Sequence, residues 1–232
     1  RADDGVERAA DRNAIDLQAQ GGGVLAGDAE AADGGADGVL LEGAESAAEG
    51  RGLADGLADG KQLADSQGKT LITQKVADGT LVEVPDLKPY SVLGLSEVSG
   101  QPQTAGTGLS ISQSGSVIVL ENALIRVEID EVGDITRIYD KQADREVLPK
   151  DATGNALLAF EDRPMNFDAW DIDIFYEDRT EKVEGVESIT VTEQGPLRVA
   201  LEIKRKYRNS LINQTMYLYH DSKRVDFETW ID

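Results

Sequence analysis

Hydrophobic and polar residues alternate with a period of two along much of the chain after its first third. In residues 125–129 the three aliphatic side chains fall on one face of an extended strand, while Arg126 and Glu128 fall on the other. The same alternation recurs in residues 197–204 and 225–231. This pattern predicts half-buried β-strands with one wet face.

Turn residues divide these runs at short intervals. Asp78-Gly79 separates residues 71–76 from 80–84 and predicts a hairpin, because both residue types tolerate positive φ. A turn at 131–134 separates predicted strands that end at Ile129 and begin at Ile135. Many strands, almost no helix and a polar connection at 99–108 together predict an all-β, antiparallel sandwich.

The first third of the chain has a different character. Residues 1–70 contain no aromatic residue and no proline, and they repeat the words Leu-Ala-Asp-Gly at 53–56 and 57–60. Such a composition predicts disorder over residues 1–68. The Asp-Gly words miss the ligand spacing of known calcium loops, so we expect no calcium site there. The remaining chain is predicted to form a hairpin and linker region at 69–108 and a sandwich domain at 109–232.

Charge and composition exclude several classes of partner. A formal net charge of −21 opposes binding to nucleic acids and to anionic membrane surfaces. The basic cluster 204–208 alternates within a predicted strand, and we interpret it as a solvated face. No apolar run approaches the length of a membrane span. With no cysteine, the chain is suited to a reducing compartment, and we expect a cytoplasmic protein in which the sequon at Asn213 is fortuitous.

Residues 163–176 hold four of the twelve aromatic residues of the chain among three aspartates. Aromatic faces stack on the apolar faces of sugar rings, and carboxylates accept hydrogen bonds from sugar hydroxyls. We therefore predict that Asp168, Trp170 and Asp171 contact a carbohydrate substrate. Asp171 and Asp173 would lie on one face of a strand, but adjacent carboxylates on a sheet are usually just solvated, and we expect no catalysis from this pair.

Three strings give the chain a family resemblance from about residue 69 onward. They are LENALIRVEIDEVGDITRIYDKQADREVL at 120–148, NALLAFEDRPMNFDAWDIDIFYEDR at 155–179, and RVDFETWID at 224–232. These strings resemble the C-terminal β region of bacterial and cytosolic α-mannosidases of glycoside hydrolase family thirty-eight. The resemblance implies a galactose-mutarotase-like supersandwich, here expected to be truncated at its C-terminus.

The resemblance also implies what this chain lacks. Enzymes of that family are retaining glycosidases whose zinc ion and aspartate nucleophile lie on an N-terminal α/β domain. His220 is the single histidine of this chain, and we expect it at a strand end or turn rather than in a catalytic zinc set. We therefore expect no catalytic residue, metal ligand or cofactor in this chain, with zinc and α-mannoside glycans belonging to a longer parent enzyme. Residues 1–68 do not match the family, and a shifted reading frame is one hypothesis for them.

Two other functions stay open from the sequence. The chain could be a non-catalytic carbohydrate-binding sandwich that uses Trp170 as a platform, or a purely structural β domain. In the structural alternative, the aromatic residues of 163–176 fill the sandwich core or the interface with a catalytic domain. The exposure of Trp170 separates these possibilities.

Overall fold

The computed structural model describes residues 41–46, 51–54, 57–85, 93–100, 106–167 and 170–232. Its regular structure consists of seventeen strands, which pair antiparallel, and one short 3₁₀ helix at Tyr176–Asp178. The predicted all-β antiparallel sandwich is confirmed. Within the described ranges, no helix has the length and apolar character that crossing a membrane requires.

Two sheets form the sandwich. The first has five strands in the order β11-β10-β9-β8-β7. Their bounds are β7 Ser110–Ser114, β8 Val117–Glu121, β9 Ile125–Ile129, β10 Ile135–Asp140 and β11 Arg145–Glu146. The second has four strands in the order β14-β15-β16-β17. Their bounds are β14 Val186–Gln194, β15 Arg198–Tyr207, β16 Ser210–Tyr219 and β17 Val225–Ile231.

The core lies between these two sheets. Val127 and Ile129 of β9 pack in one cluster with Leu201, Ile203 and Met216 of the opposite sheet, and all five side chains are fully buried. The period-two pattern of β9 and β15 thus places its apolar half inward, as predicted. β17 does not show the predicted half-buried pattern, because it is an edge strand and most of its side chains are exposed.

The turns before and after β9 tie the sheets together. Asn122, fully buried, donates from Nδ2 to the carbonyls of Tyr219 and Ser222, both at 2.7 Å. At the predicted turn after β9, Gly133 has φ +81°, and Asp130 Oδ1 accepts the N–H of Asp134 at 2.9 Å. A methyl group on Gly133 would come within 2.5 Å of the Arg205 guanidinium, so both the φ angle and the packing favour glycine there.

Arg205 corrects the interpretation of the basic cluster as a solvated face. Its side chain has no exposed surface, and it donates to the Val132 carbonyl from Nε at 3.1 Å and from Nη2 at 2.9 Å. Asp134 lies 3.8 Å from Nη2. Burial lowers the pKa of Arg205 in spite of the nearby carboxylates. The alternation of the strand turns Arg205 into the sandwich, whereas Lys206 and Arg208 are exposed.

Residues before the sandwich form a second, smaller core. One sheet has the order β1-β2-β5-β4, and a two-stranded sheet pairs β3 with β6. The bounds are β1 Leu41–Ser46, β2 Arg51–Ala54, β3 Lys61–Ala64, β4 Thr73–Val76, β5 Gly79–Glu83 and β6 Ser96–Ser99. The predicted hairpin is present, although its two-residue turn is Ala77-Asp78 and Gly79 already belongs to β5. Residues 86–92 lie outside the described residues, as do residues 101–105 of the predicted connection.

The prediction of disorder over 1–68 is wrong where the structure describes strands. Leu63 and Ala54 are fully buried and pack with Leu71, Val82 and Leu95. The apolar partners come from later in the sequence, so the local composition underestimates the area that these residues bury. Residues 1–40, 47–50 and 55–56 lie outside the described residues. The predicted domain boundaries, the predicted truncation and the reading-frame hypothesis stay predictions.

Candidate functional site

The aromatic and aspartate-rich residues lie on one long excursion from the sandwich. It leaves at β12, Leu158–Phe160, and returns at β13, Thr180–Lys182, which pairs antiparallel with β12. The N–H of Glu161 donates to the carbonyl of Arg179 at 3.1 Å and so continues this pairing. We call residues 161–179 the aromatic segment. Its two ends are fixed by the β12–β13 ladder, and the described residues between these ends form no strand.

The aromatic segment exposes most of its large apolar side chains. Trp170 is 86% exposed and Met165 is 93% exposed. The other large apolar side chains that are mainly exposed are Phe167, Ile172, Ile174 and Phe175. None of them fills the sandwich core, so that part of the structural explanation is wrong. A run of exposed apolar residues this dense usually marks a binding surface.

A tight turn presents Trp170 and Asp171. The Phe167 carbonyl accepts the N–H of Trp170 at 2.7 Å and the N–H of Asp171 at 2.9 Å, and Phe167 has φ +56°. Both side chains project from this turn into solvent. Asp168, the third predicted substrate contact, lies outside the described residues. The role of all three in substrate binding stays a prediction.

Asp173 is engaged in local structure rather than paired with Asp171 on a strand. Its carboxylate accepts the N–H of Phe175 at 2.9 Å, and its own N–H donates to Asp162 Oδ1 at 2.9 Å. The predicted strand over 171–173 is therefore wrong. Short aspartate side chains compete for backbone donors and favour turns over strands.

A small cleft of about 210 Å³ lies within the aromatic segment. It is lined by Glu161, Arg163, Asp173, Phe175, Tyr176, Asp178 and Arg179. Glu161 pairs with Arg163 and, at 2.5 Å, with Arg179. The hydrogen bond from Arg179 holds the pKa of Glu161 below its ordinary value. The cleft thus offers a fixed carboxylate and two cations beside aromatic rings.

The rings beside the cleft are held by contacts of their own. Tyr176 meets Phe160 edge to face, with ring centroids 5.1 Å apart. Its hydroxyl donates to Glu177 at 2.9 Å, which raises the pKa of Tyr176. Tyr176 is half-buried, in contrast to the exposed Trp170.

A second polar cluster lies at the junction of the small sheet and the sandwich. His220 directly follows β16, at the strand end where it is predicted, and its Nε2 lies 3.1 Å from Glu83 Oε1 and 3.9 Å from Asp221 Oδ1. Arg51 pairs with Asp221 and stacks on the Tyr219 ring, with its guanidinium carbon 4.1 Å from the ring centroid. Glu83 and His220 are 137 positions apart, so no local pattern could have brought them together.

The described residues of the aromatic segment offer side chains that can bind a ligand. Exposed rings can stack on an apolar surface, and carboxylates and guanidinium groups can hold hydroxyls. Two carboxylates of the described cleft are already engaged: Glu161 pairs with arginines, and Asp173 accepts a backbone N–H. The geometry is that of a contact surface.

Comparisons with known proteins agree with the resemblance carried by the three strings. Residues 120–232 match the model of the glycosyl hydrolases family 38 C-terminal domain. Alpha-mannosidase G of Dictyostelium discoideum is 31% identical over 139 residues, which are 57% of this chain and 13% of that protein. Alpha-mannosidase 2C1 of Homo sapiens is 30% identical over 121 residues, 51% of this chain and 12% of that protein. Residues 120–232 therefore belong to the C-terminal domain of glycosyl hydrolase family 38, which confirms the resemblance over this part of the chain.

Proposed function

We propose that this chain is the β-rich C-terminal part of an enzyme that hydrolyses terminal α-mannosides. In this proposal, the aromatic segment packs against a catalytic domain and forms one edge of its glycan cleft. The observation that carries the proposal is the density of exposed apolar residues on a segment anchored at both ends to a family 38 sandwich. Two relatives are named alpha-mannosidases, and the matched regions cover only 13% and 12% of their lengths.

The exposed residues suit a protein partner better than a sugar alone. A single sugar ring covers one aromatic face, whereas four further exposed side chains add aliphatic and aromatic area: Met165, Phe167, Ile172 and Ile174. Burying this area in a domain interface would stabilise the assembly by about 25 cal/mol per Å². Trp170 and Asp171, at the tip of the turn, are the residues we assign to the glycan, together with Asp168.

This chain does not fit the zinc centre that the family resemblance implies. Catalytic zinc sites usually take three protein ligands rich in histidine, and the sequence has one histidine. We therefore derive no step through zinc from this chain and expect no hydrolysis by the isolated polypeptide. We also assign the protein to the cytoplasm, where a chain without cysteine loses no disulfide stabilisation.

The main test uses this chain joined to a family 38 catalytic domain. Trp170→Ala should lower kcat/KM for an α-mannoside by about twofold to twelvefold, because one ring contact contributes about 0.5–1.5 kcal/mol beyond burial. Trp230→Ala is the matched control, since Trp230 is also exposed but lies on β17. Wild-type kinetics in Trp170→Ala would remove this residue from the site.

The exposure of Trp170 also favours a second function, that of a carbohydrate-binding module. Its test is a titration of the isolated chain with mannose, followed by tryptophan fluorescence in the Trp230→Phe background. Trp170 is then the one remaining tryptophan. A binding module gives a saturable change that Trp170→Phe abolishes. No change supports a segment that needs the catalytic domain to complete its site.

A further inference from the structure

The cluster at the junction of the two cores has the donor atoms of a transition-metal site. Glu83 is the last residue of β5, and His220 and Asp221 directly follow β16. One ligand atom from each of the three side chains lies within 4.8 Å of the other two. The shorter separations, 3.1 Å and 3.9 Å, both involve His220 Nε2. Ligand atoms bound to a zinc ion at about 2.0–2.2 Å come to lie within a similar distance of each other.

The backbone holds these ligands from two directions. The N–H of His220 donates to the Leu197 carbonyl at 3.0 Å, which fixes it against the start of β15. Glu83 is fixed by β5, because its N–H donates to the Ile72 carbonyl at 2.9 Å. Only small side-chain movements are needed to converge on one ion. Glu83 and His220 are both partly buried, so few water molecules have to be displaced.

Charge sets the class of ion. The two carboxylates carry two negative charges and Arg51 returns one positive charge, so the site favours a divalent cation over a neutral or anionic ligand. An imidazole with two carboxylates suits zinc and its neighbours in the first transition series, whereas magnesium and calcium prefer oxygen ligands alone. We propose that Glu83, His220 and Asp221 bind a divalent transition metal of the zinc class and thereby clamp the small sheet to the sandwich.

Arg51 is the element of the site that opposes metal binding. Its guanidinium pairs with Asp221 and lies over Tyr219, so a cation must share Asp221 with it. The alternative without metal is a latch made only of the Glu83–His220 and Arg51–Asp221 pairs. The two alternatives differ in what happens when the charge of Arg51 is removed.

The test is isothermal titration of the chain with Zn²⁺ in the presence of excess Mg²⁺, which occupies carboxylates unspecifically. The wild type should bind one Zn²⁺. The variants Glu83→Gln and His220→Asn should each lose at least about 100-fold in affinity, since even residues that only support a metal ligand contribute 10- to 100-fold. Glu131→Gln, in the exposed turn after β9, is the control and should bind as the wild type does. The chain has no cysteine and no other histidine that could take over.

Arg51→Met should bind Zn²⁺ more tightly than the wild type. Zn²⁺ should also raise the Tm of the wild type and of Glu131→Gln but not that of Glu83→Gln, because a ligand stabilises only the state that binds it. Circular dichroism of each variant without metal shows whether it is folded. If His220→Asn is unfolded, the Zn²⁺ affinity of Glu83→Gln decides between the metal site and the latch. Absence of saturable binding to the wild type, or unchanged affinity in Glu83→Gln, would overturn the proposal in favour of the latch.

Discussion

Strand β15 and the aromatic segment both carry large apolar residues, but β15 buries them and the aromatic segment exposes most of them. In β15, Val199, Leu201 and Ile203 are fully buried against the five-stranded sheet. In the aromatic segment, Trp170 and Ile174 are at least 80% exposed. The difference lies in the partner: β15 finds its partner sheet within the chain, whereas the described residues offer none to the middle of the aromatic segment. Large apolar residues therefore build the core in β15, whereas in the segment they form an exposed apolar surface.

Arg205 gives the largest expected effect on the sandwich side of this comparison. Arg205→Ala should lower the free energy of unfolding by about 3–5 kcal/mol. It empties a fully buried site, removes the guanidinium donor of the Val132 carbonyl, and leaves the buried Asp134 with Lys182 but without Arg205. Arg208→Ala is the matched control on the same cluster, since Arg208 is exposed, and it should cost less than about 0.5 kcal/mol. Urea unfolding followed by circular dichroism measures both. Equal, small effects would mean that Arg205 is not buried in solution.

Leu201 tests the apolar part of the same strand. Leu201→Ala should cost about 2–5 kcal/mol, since it opens a cavity between the two sheets where Leu201 is fully buried. Ile174→Ala removes a side chain of similar size from the aromatic segment, where it is 80% exposed, and should change stability by less than about 0.5 kcal/mol. The difference between the two urea midpoints measures how far the segment lies outside the core. A cost for Ile174→Ala close to that of Leu201→Ala would show that the segment packs on the sandwich.

The raised pKa of Tyr217 predicts how the stability of the sandwich changes at high pH. Burial, and then the Glu228 carboxylate that accepts its hydroxyl at 3.1 Å, raise the pKa of Tyr217 to about 12. Because the folded state holds the proton more tightly than the unfolded state, this contribution is complete below pH 10 and is lost as the pH rises from 10 to 12. The loss should be on the order of 1 kcal/mol after solvent screening. Tyr217→Phe should show a shallower decline of Tm over this range, and an unchanged slope would contradict the assignment.

The same contrast explains what could be predicted from the sequence. The buried and exposed faces of β9 follow from alternation, and the turn at Gly133 follows from its residue types, because both are local properties. The burial of Arg205, the strands at 51–54 and 61–64, and the meeting of Glu83 with His220 depend on partners far away in the sequence. The aromatic composition singled out the segment but left open whether its rings are exposed or fill the core, and it could not show that Asp173 is engaged in a turn.

Trp170 gives the smallest expected effect on stability and the sharpest test of the segment. Because its side chain is 86% exposed, Trp170→Ala should change the free energy of unfolding of this chain by less than about 0.5 kcal/mol. Urea unfolding of the isolated variant checks this, with Leu201→Ala as the destabilised reference. If the variant is as stable as the wild type but impairs α-mannoside hydrolysis when joined to a catalytic domain, the ring acts through contacts outside this chain. A stability loss comparable to that of Leu201→Ala would instead place Trp170 in a core. The contrast between β15 and the aromatic segment would then not hold for Trp170.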